Sequence, residues 1–170
     1  MGLDLGQYSS HLHELRHRVM ISFGAIIICS SVSYYFRIEL ADLVVAPLFT
    51  AYPQLDTLVY TNLTEAFFSY LKLAILVGII LSFPIILYQA WTFLAPGLHK
   101  SEKKVSFQIV FFASLLFAGG AAFAFLVVMP EALSFFMHFA SEDLQPKPKF
   151  GAYFTFVARS CLAFGLAFEI

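Results

Sequence analysis

The sequence predicts an all-α, polytopic transmembrane protein, and three observations predict it. Of its 170 residues, 60% are hydrophobic and 12% charged, whereas a soluble chain runs at about 45–50% and about 25%. Mean hydropathy is +0.82. The apolar residues are also gathered into four long runs, three of them free of charge, and a helix needs about 20 such residues to cross a hydrocarbon core about 30 Å thick. This composition excludes disordered, disulfide-rich secreted and nucleic-acid-binding classes. Ten Lys+Arg against eleven Asp+Glu give a net charge of −1, so no global field seeks a polyanion. Cys29 and Cys161 lie inside apolar runs without metal-ligand spacing and read as small core residues.

The first span is residues 19–36, between Arg18 and Arg37. Its apolar run is longer than a typical signal-peptide core and no small-x-small cleavage site follows, so it reads as integral. In the next segment Leu40, Leu43, Val44 and Leu48 fall at helical spacing opposite Glu39 and Asp42, which predicts a helix along the membrane surface. Pro47 is expected to bend or end it, and Tyr52-Pro53 continues the break. Asn62 with Glu65 three residues on is a cap signature for the helix of the second span, residues 70–93. Pro84 is expected to interrupt that span and free a carbonyl for a neighbour to satisfy.

The third span covers 105–129, and Pro130 then predicts a separate outer helix through His138. Pro146 to Lys149 reads as a stiff, extended connector. The fourth span, 150–170, carries Arg159 and Glu169 and is incomplete, with Phe154, Phe164 and Phe168 expected on its bilayer side. Because the chain stops at Ile170 with no polar flank, it is expected to be the front part of a longer membrane protein. Five Lys and Arg (Arg16, Arg18, Lys100, Lys103, Lys104) fall on the N-terminal side of the spans against three on the other (Arg37, Lys147, Lys149), so the N-terminus is expected in the cytoplasm.

Several polar residues need a reason to be where they are. Glu14 and Arg18 are i,i+4 neighbours in the favourable order, either an interfacial ion pair or a carboxylate offered to a cationic partner. His13 and His17 share a face but have no third ligand nearby. Trp91 and Phe93 suit the headgroup region, and Pro96-Gly97 forces a turn. Glu102 is the one acid in a loop with three lysines: a solvated charge, or a second carboxylate beside Glu14 for a peptide with paired guanidinium groups, whose planar fork matches a carboxylate. Lys72 lies near a span end, where snorkelling accounts for it. Arg159 and Glu169 are about 15 Å apart along a helix and do not pair with each other.

The stretches His11-Leu12-x-Glu14-Leu15-Arg16-x-Arg18, Pro84-x-x-x-Tyr88-Gln89-x-Trp91-x-Phe93-x-x-Pro96-Gly97-Leu98 with Glu102 beyond, and Phe164-Gly165-x-x-Phe168-Glu169 resemble the TatC family. That family supplies the receptor subunit of the twin-arginine protein translocase. The resemblance runs through essentially the whole chain in order. It implies a six-helix architecture in one membrane domain, of which four spans are present, in the cytoplasmic (inner) membrane. It also implies binding of twin-arginine signal peptides of folded cargo by Glu14, Arg16, Phe93 and Glu102. Pro47, Pro84, Gln89 and Glu169 match positions tied to structure or partner contact. The implied partners are single-span subunits of the TatA and TatB types in an oligomeric complex, besides membrane lipid, with no cofactor, metal or nucleic acid. Lys103 and Lys104 stand where relatives often carry arginine, and Phe125 where they often carry tyrosine.

Two rival readings belong to other classes. A small ion-coupled transporter would line a pathway with Lys72, Arg159 and Glu169, but inverted repeats and paired broken helices are not visible. An intramembrane hydrolase would need a Ser/His pair, metal motif or paired aspartates within the spans, and the sequence offers none. Binding of a twin-arginine peptide against a twin-lysine control separates all three.

Overall fold

Four helices in the computed structural model are long and apolar enough to cross a membrane: Leu12–Tyr35, Glu65–Phe93, Phe107–Phe136 and Phe150–Ala167. The structure describes residues 5–51, 58–59, 62, 64–94, 103–138 and 148–170. In chain order the helices are α1 (Leu5–Tyr35), α2 (Arg37–Ala51), α3 (Glu65–Leu94), α4 (Lys103–Phe123), α5 (Met129–His138) and α6 (Phe150–Ala167), with a π turn at Ala124–Val128 joining α4 to α5. The N-terminal polar segment and the first span form one helix of 31 residues, about 46 Å long. Its first turns therefore extend past any hydrocarbon core.

Small residues set the close helix crossings, as expected where lipid gives no hydrophobic drive for helix association. The most extensive packing is α1 on α3. There a Cβ added at Gly78 would lie 2.7 Å from both Ser30 Cα and Ser30 N. Helix α6 packs on α3 and α4; a Cβ at Gly120 would come within 2.5 Å of the Phe164 carbonyl oxygen, and one at Gly165 within 2.7 Å of the Phe117 ring. Phe117 in turn stacks on Phe83 at a centroid distance of 3.6 Å.

Neither Pro47 nor Pro84 ends its helix. Pro47 lies inside α2, which runs on to Ala51. The buried stripe is Ala41, Val44, Val45 and Leu48, whereas Leu43 is exposed; the apolar face is turned by about one residue and packs on α3 and α5. The carbonyl that Pro47 leaves without its helical donor is that of Leu43; one residue on, the Tyr153 hydroxyl ties α6 to α2 by donating to the Val44 carbonyl at 2.7 Å. Pro84 likewise sits inside an unbroken α3. Ser82 and Phe83 just before it are buried, so packing holds the turn that lacks the bond.

Pro130 stands second in α5, which ends at His138 as the sequence suggests, but α5 is continuous with α4 and not a detached outer helix. The chain is helical from Lys103 to His138, and the π turn falls just before Pro130. Met129 N–H bonds the Ala124 carbonyl, an i→i+5 bond that widens the turn where the proline ring would otherwise crowd the carbonyl four residues back. Met129 and Leu133 are thereby buried in the core.

Helix α6 is anchored at its start by the two connectors. Val59 N–H bonds the Pro148 carbonyl at 3.5 Å and Phe150 N–H bonds the Val59 carbonyl at 3.0 Å. Helix α3 begins at Glu65, whose N–H bonds the Asn62 carbonyl at 3.0 Å, while the Glu65 carboxylate accepts from Gly151 N–H at 3.0 Å. The acid read as part of the α3 cap thus also caps α6, where the helix dipole favours it. Tyr153, Phe154, Val157, Cys161 and Gly165 form the buried face of α6. Phe154, expected towards lipid, is only 2% exposed.

Candidate functional site: a groove between the start of α1 and the end of α3

Because α1 and α3 run antiparallel, the first turns of α1 meet the last turns of α3. Leu15, Val19 and Phe23 on α1 recur every four residues, so they share a face. Together with Ile86 and Phe93 of α3 they line an apolar cavity of about 440 Å³. Its walls are largely hydrocarbon, with Arg18, Ser22 and Gln89 as the polar lining residues; Glu14 is not in the lining itself and joins the site through Arg18.

Arg18 organises these polar groups. Its Nη2 and Nε donate to Glu14 Oε1 at 2.5 and 3.1 Å, and its Nη1 donates to Gln89 Oε1 at 3.4 Å. The Arg18 side chain is 18% exposed and that of Glu14 42%. The guanidinium is therefore tucked between the helices while the carboxylate it orients faces outward. This is the i,i+4 pair that the sequence indicates, with a cross-helix bond added. Chemically, the site offers a positioned carboxylate at the mouth of an apolar slot, which suits a cationic segment flanked by apolar side chains.

The structure brings Glu14, Gln89 and Phe93 together. It leaves Arg16 exposed on another face of α1, outside the groove lining. Glu102 lies outside the described residues. Pro84 is exposed on α3 and does not line the groove. Pro47 lies elsewhere, beside Leu43, Thr50, Phe125, Leu126 and Pro130 in a separate cavity of about 390 Å³. Glu169 does not line the groove either: it lies in the turn after α6, its Oε1 is buried without a hydrogen-bond partner among the described residues, and the Phe117 backbone reaches its carboxylate. Sequence reasoning gave Arg18 no role beyond its pair with Glu14; the usable signal was its place one turn before Ser22 on the face of Leu15 and Val19. No group of three or more potential metal ligands occurs among the described residues.

The fold defines a polytopic α-helical membrane protein, with an apolar groove at one end of its first two spans. The profile of Sec-independent protein translocase protein (TatC) matches residues 10–170. The chain belongs to the TatC family. It is 36% identical over 163 residues to Sec-independent protein translocase protein TatC of Desulforapulum autotrophicum, covering 96% of this chain and 60% of that protein. The Escherichia coli K12 protein of the same name is 39% identical over 161 residues, covering 95% and 62%. The chain thus spans about 60% of the length of these relatives. The crystal structure of a twin-arginine translocase receptor, TatC, superposes with a TM-score of 0.83 at 37% identity, covering 94% of this chain and 70% of that one.

Proposed function

We propose that this chain is the signal-recognition portion of a twin-arginine translocase receptor, one membrane domain seated in the cytoplasmic membrane with its N-terminus in the cytoplasm. The observation that carries the reading is the outward-facing Glu14 carboxylate, braced by Arg18 at the mouth of the apolar groove. Glu14 pairs with one guanidinium of the signal peptide and Glu102 with the other. The apolar part of the signal lies along Phe93, and Gln89 joins this site through Arg18 instead of serving only as a partner contact. Arg16, exposed outside the groove, meets the flanking peptide. Binding and release of a peptide involve no bond making, so the chain works as a receptor and not as an enzyme. Single-span subunits of the TatA and TatB types are its partners, with Pro47 and Pro84 shaping the surfaces they meet.

The test is binding of a twin-arginine peptide and its twin-lysine counterpart to the wild type, Glu14→Gln and Glu102→Gln. Each variant should weaken arginine-peptide binding by about 1–2 kcal/mol, between the value of an exposed pair and that of a desolvated one. The Arg/Lys preference should shrink in Glu102→Gln. An undiminished preference there would show that this carboxylate does not read the guanidinium.

A further inference from the structure

Away from the groove, α3 and α6 enclose a second and chemically different cleft of about 530 Å³, lined by Glu65, Lys72, Gly151, Thr155 and Arg159 among others. The helical repeat places Gly151, Thr155 and Arg159 on one face of α6, and Glu65 and Lys72 on one face of α3. The Glu65 carboxylate is engaged at the top of the cleft by Gly151 N–H, at 3.0 Å. Deeper in, the charge is positive. Lys72 Nζ donates to Thr155 Oγ1 at 3.2 Å, and Thr155 passes its own hydrogen to the Gly151 carbonyl at 2.7 Å. The partner of Lys72 is therefore a neutral hydroxyl. Arg159 is exposed one turn further along and makes no hydrogen bond or ion pair with any described residue.

Neither Lys72 nor Arg159 makes an ion pair with a described residue, although Glu65 lines the same cleft, and cations within apolar spans otherwise pair or line a polar path. We propose that this cleft binds the phosphate of an anionic phospholipid, held between Lys72 and Arg159. Three features favour lipid as the source. Both side chains are exposed and not enclosed. Helices α3 and α6 start on the same face of the molecule, tied there by Glu65 and Gly151; since helical side chains lean towards the N-terminus, both cations reach towards the headgroups of that one leaflet. An arginine fork beside a lysine point charge also matches the several oxygens of a phosphate diester. A carboxylate from a partner helix would need a second protein to carry it to the same depth.

Lipid retention by the purified chain in detergent, read by native mass spectrometry, tests this. Phosphatidylglycerol and phosphatidylcholine would be offered in parallel, and inorganic phosphate would be added as a competitor. The wild type should keep phosphatidylglycerol over phosphatidylcholine by tenfold or more. Lys72→Gln combined with Arg159→Gln should reduce that preference to within twofold, and Arg159→Lys should retain most of it. Arg37→Gln, which removes a cation near the same leaflet that stacks on Tyr34, should retain all of it. If the double variant proves unstable, the two single variants decide, each losing at least threefold. The proposal is overturned if the Gln variants keep the full preference, which would leave a partner carboxylate as the occupant. It is equally overturned if Arg37→Gln loses as much as they do, because bulk charge would then suffice. Displacement of the lipid by inorganic phosphate at equal concentration would overturn the choice of lipid.

Discussion

Arg18 Nη1 donates to Gln89 Oε1 at 3.4 Å across 71 positions of sequence, while the other nitrogens of the same guanidinium hold Glu14. One side chain thus sets both the direction of the Glu14 carboxylate and the spacing of α1 and α3 at the groove. Arginine serves because its donors point in fixed, divergent directions; a lysine could satisfy one partner but not orient both.

It follows that Arg18 and Gln89 should couple weakly but measurably in peptide binding. In a double-mutant cycle with Arg18→Lys and Gln89→Leu, the interaction energy should be about 0.5–1 kcal/mol, as befits a long hydrogen bond to a charged donor. Arg18→Lys alone should weaken binding even though charge is kept. Strict additivity of the two changes would show that the cross-helix bond does not position the carboxylate.

Packing further along the same α1–α3 contact gives a stability prediction. Replacing a helical glycine by alanine normally gains about 0.5–1 kcal/mol, but at Gly78 the new Cβ meets Ser30 backbone atoms at 2.7 Å. Backbone cannot rotate away, so Gly78→Ala should destabilise by about 1–3 kcal/mol. Ser30→Gly should not rescue it, since the obstructing N and Cα remain. Gly119→Ala, where nothing lies within 4 Å, should be neutral or slightly stabilising. Thermal unfolding in a single detergent compares the three.

The helices that cross were legible because charge-free runs of this length have one physical use. The direction in which each helix faces was not. A span is apolar on every side, so hydropathy could not tell that Phe154 is buried at 2% exposure while Leu126 is exposed at 68%. The prolines misled for a related reason: propensity counts the lost bond, but not the tertiary packing that holds the helix through it, such as the Tyr153 hydroxyl that ties α6 to the Val44 carbonyl from over a hundred positions away. Glu14 was legible from spacing within one helix. Its link to Gln89 needed the antiparallel contact of α1 and α3, which no local pattern encodes. The π turn before Pro130 was equally hidden, since nothing in Ala124 to Val128 distinguishes it from α-helix.

Orientation follows from the charge tally and has a direct check. Single cysteines at Ser101 and Gln54, placed in a background without Cys29 and Cys161, should label from opposite sides of the membrane with an impermeant thiol reagent. Ser101→Cys should be protected in intact cells, and its labelling from outside would invert the proposed topology. The background itself should fold, since Cys29 and Cys161 are free thiols, although Cys161 is buried and is best replaced by alanine or serine.

Glu169 should act separately from the groove. The α4 and α6 helices are antiparallel and cross where Gly120 meets Phe164 and Gly165, so the turn after α6 lies roughly level with Phe117. That is some fourteen residues along the helix that begins at Lys103, or about 21 Å from its start. An acid at this depth is a functional group by default. Its Oε1 is buried without a hydrogen-bond partner among the described residues; the Phe117 backbone reaches the carboxylate, which still has acceptor capacity for a further donor. A single-span partner with a polar side chain near its membrane end would supply that donor. Glu169→Ala, made in a protein completed to the length of its relatives, should therefore leave twin-arginine peptide binding unchanged while weakening partner crosslinking and transport. Glu169→Gln, which can still donate and accept, should be intermediate. Loss of peptide binding in a properly inserted Glu169→Ala protein, with partner crosslinking intact, would merge the two sites into one.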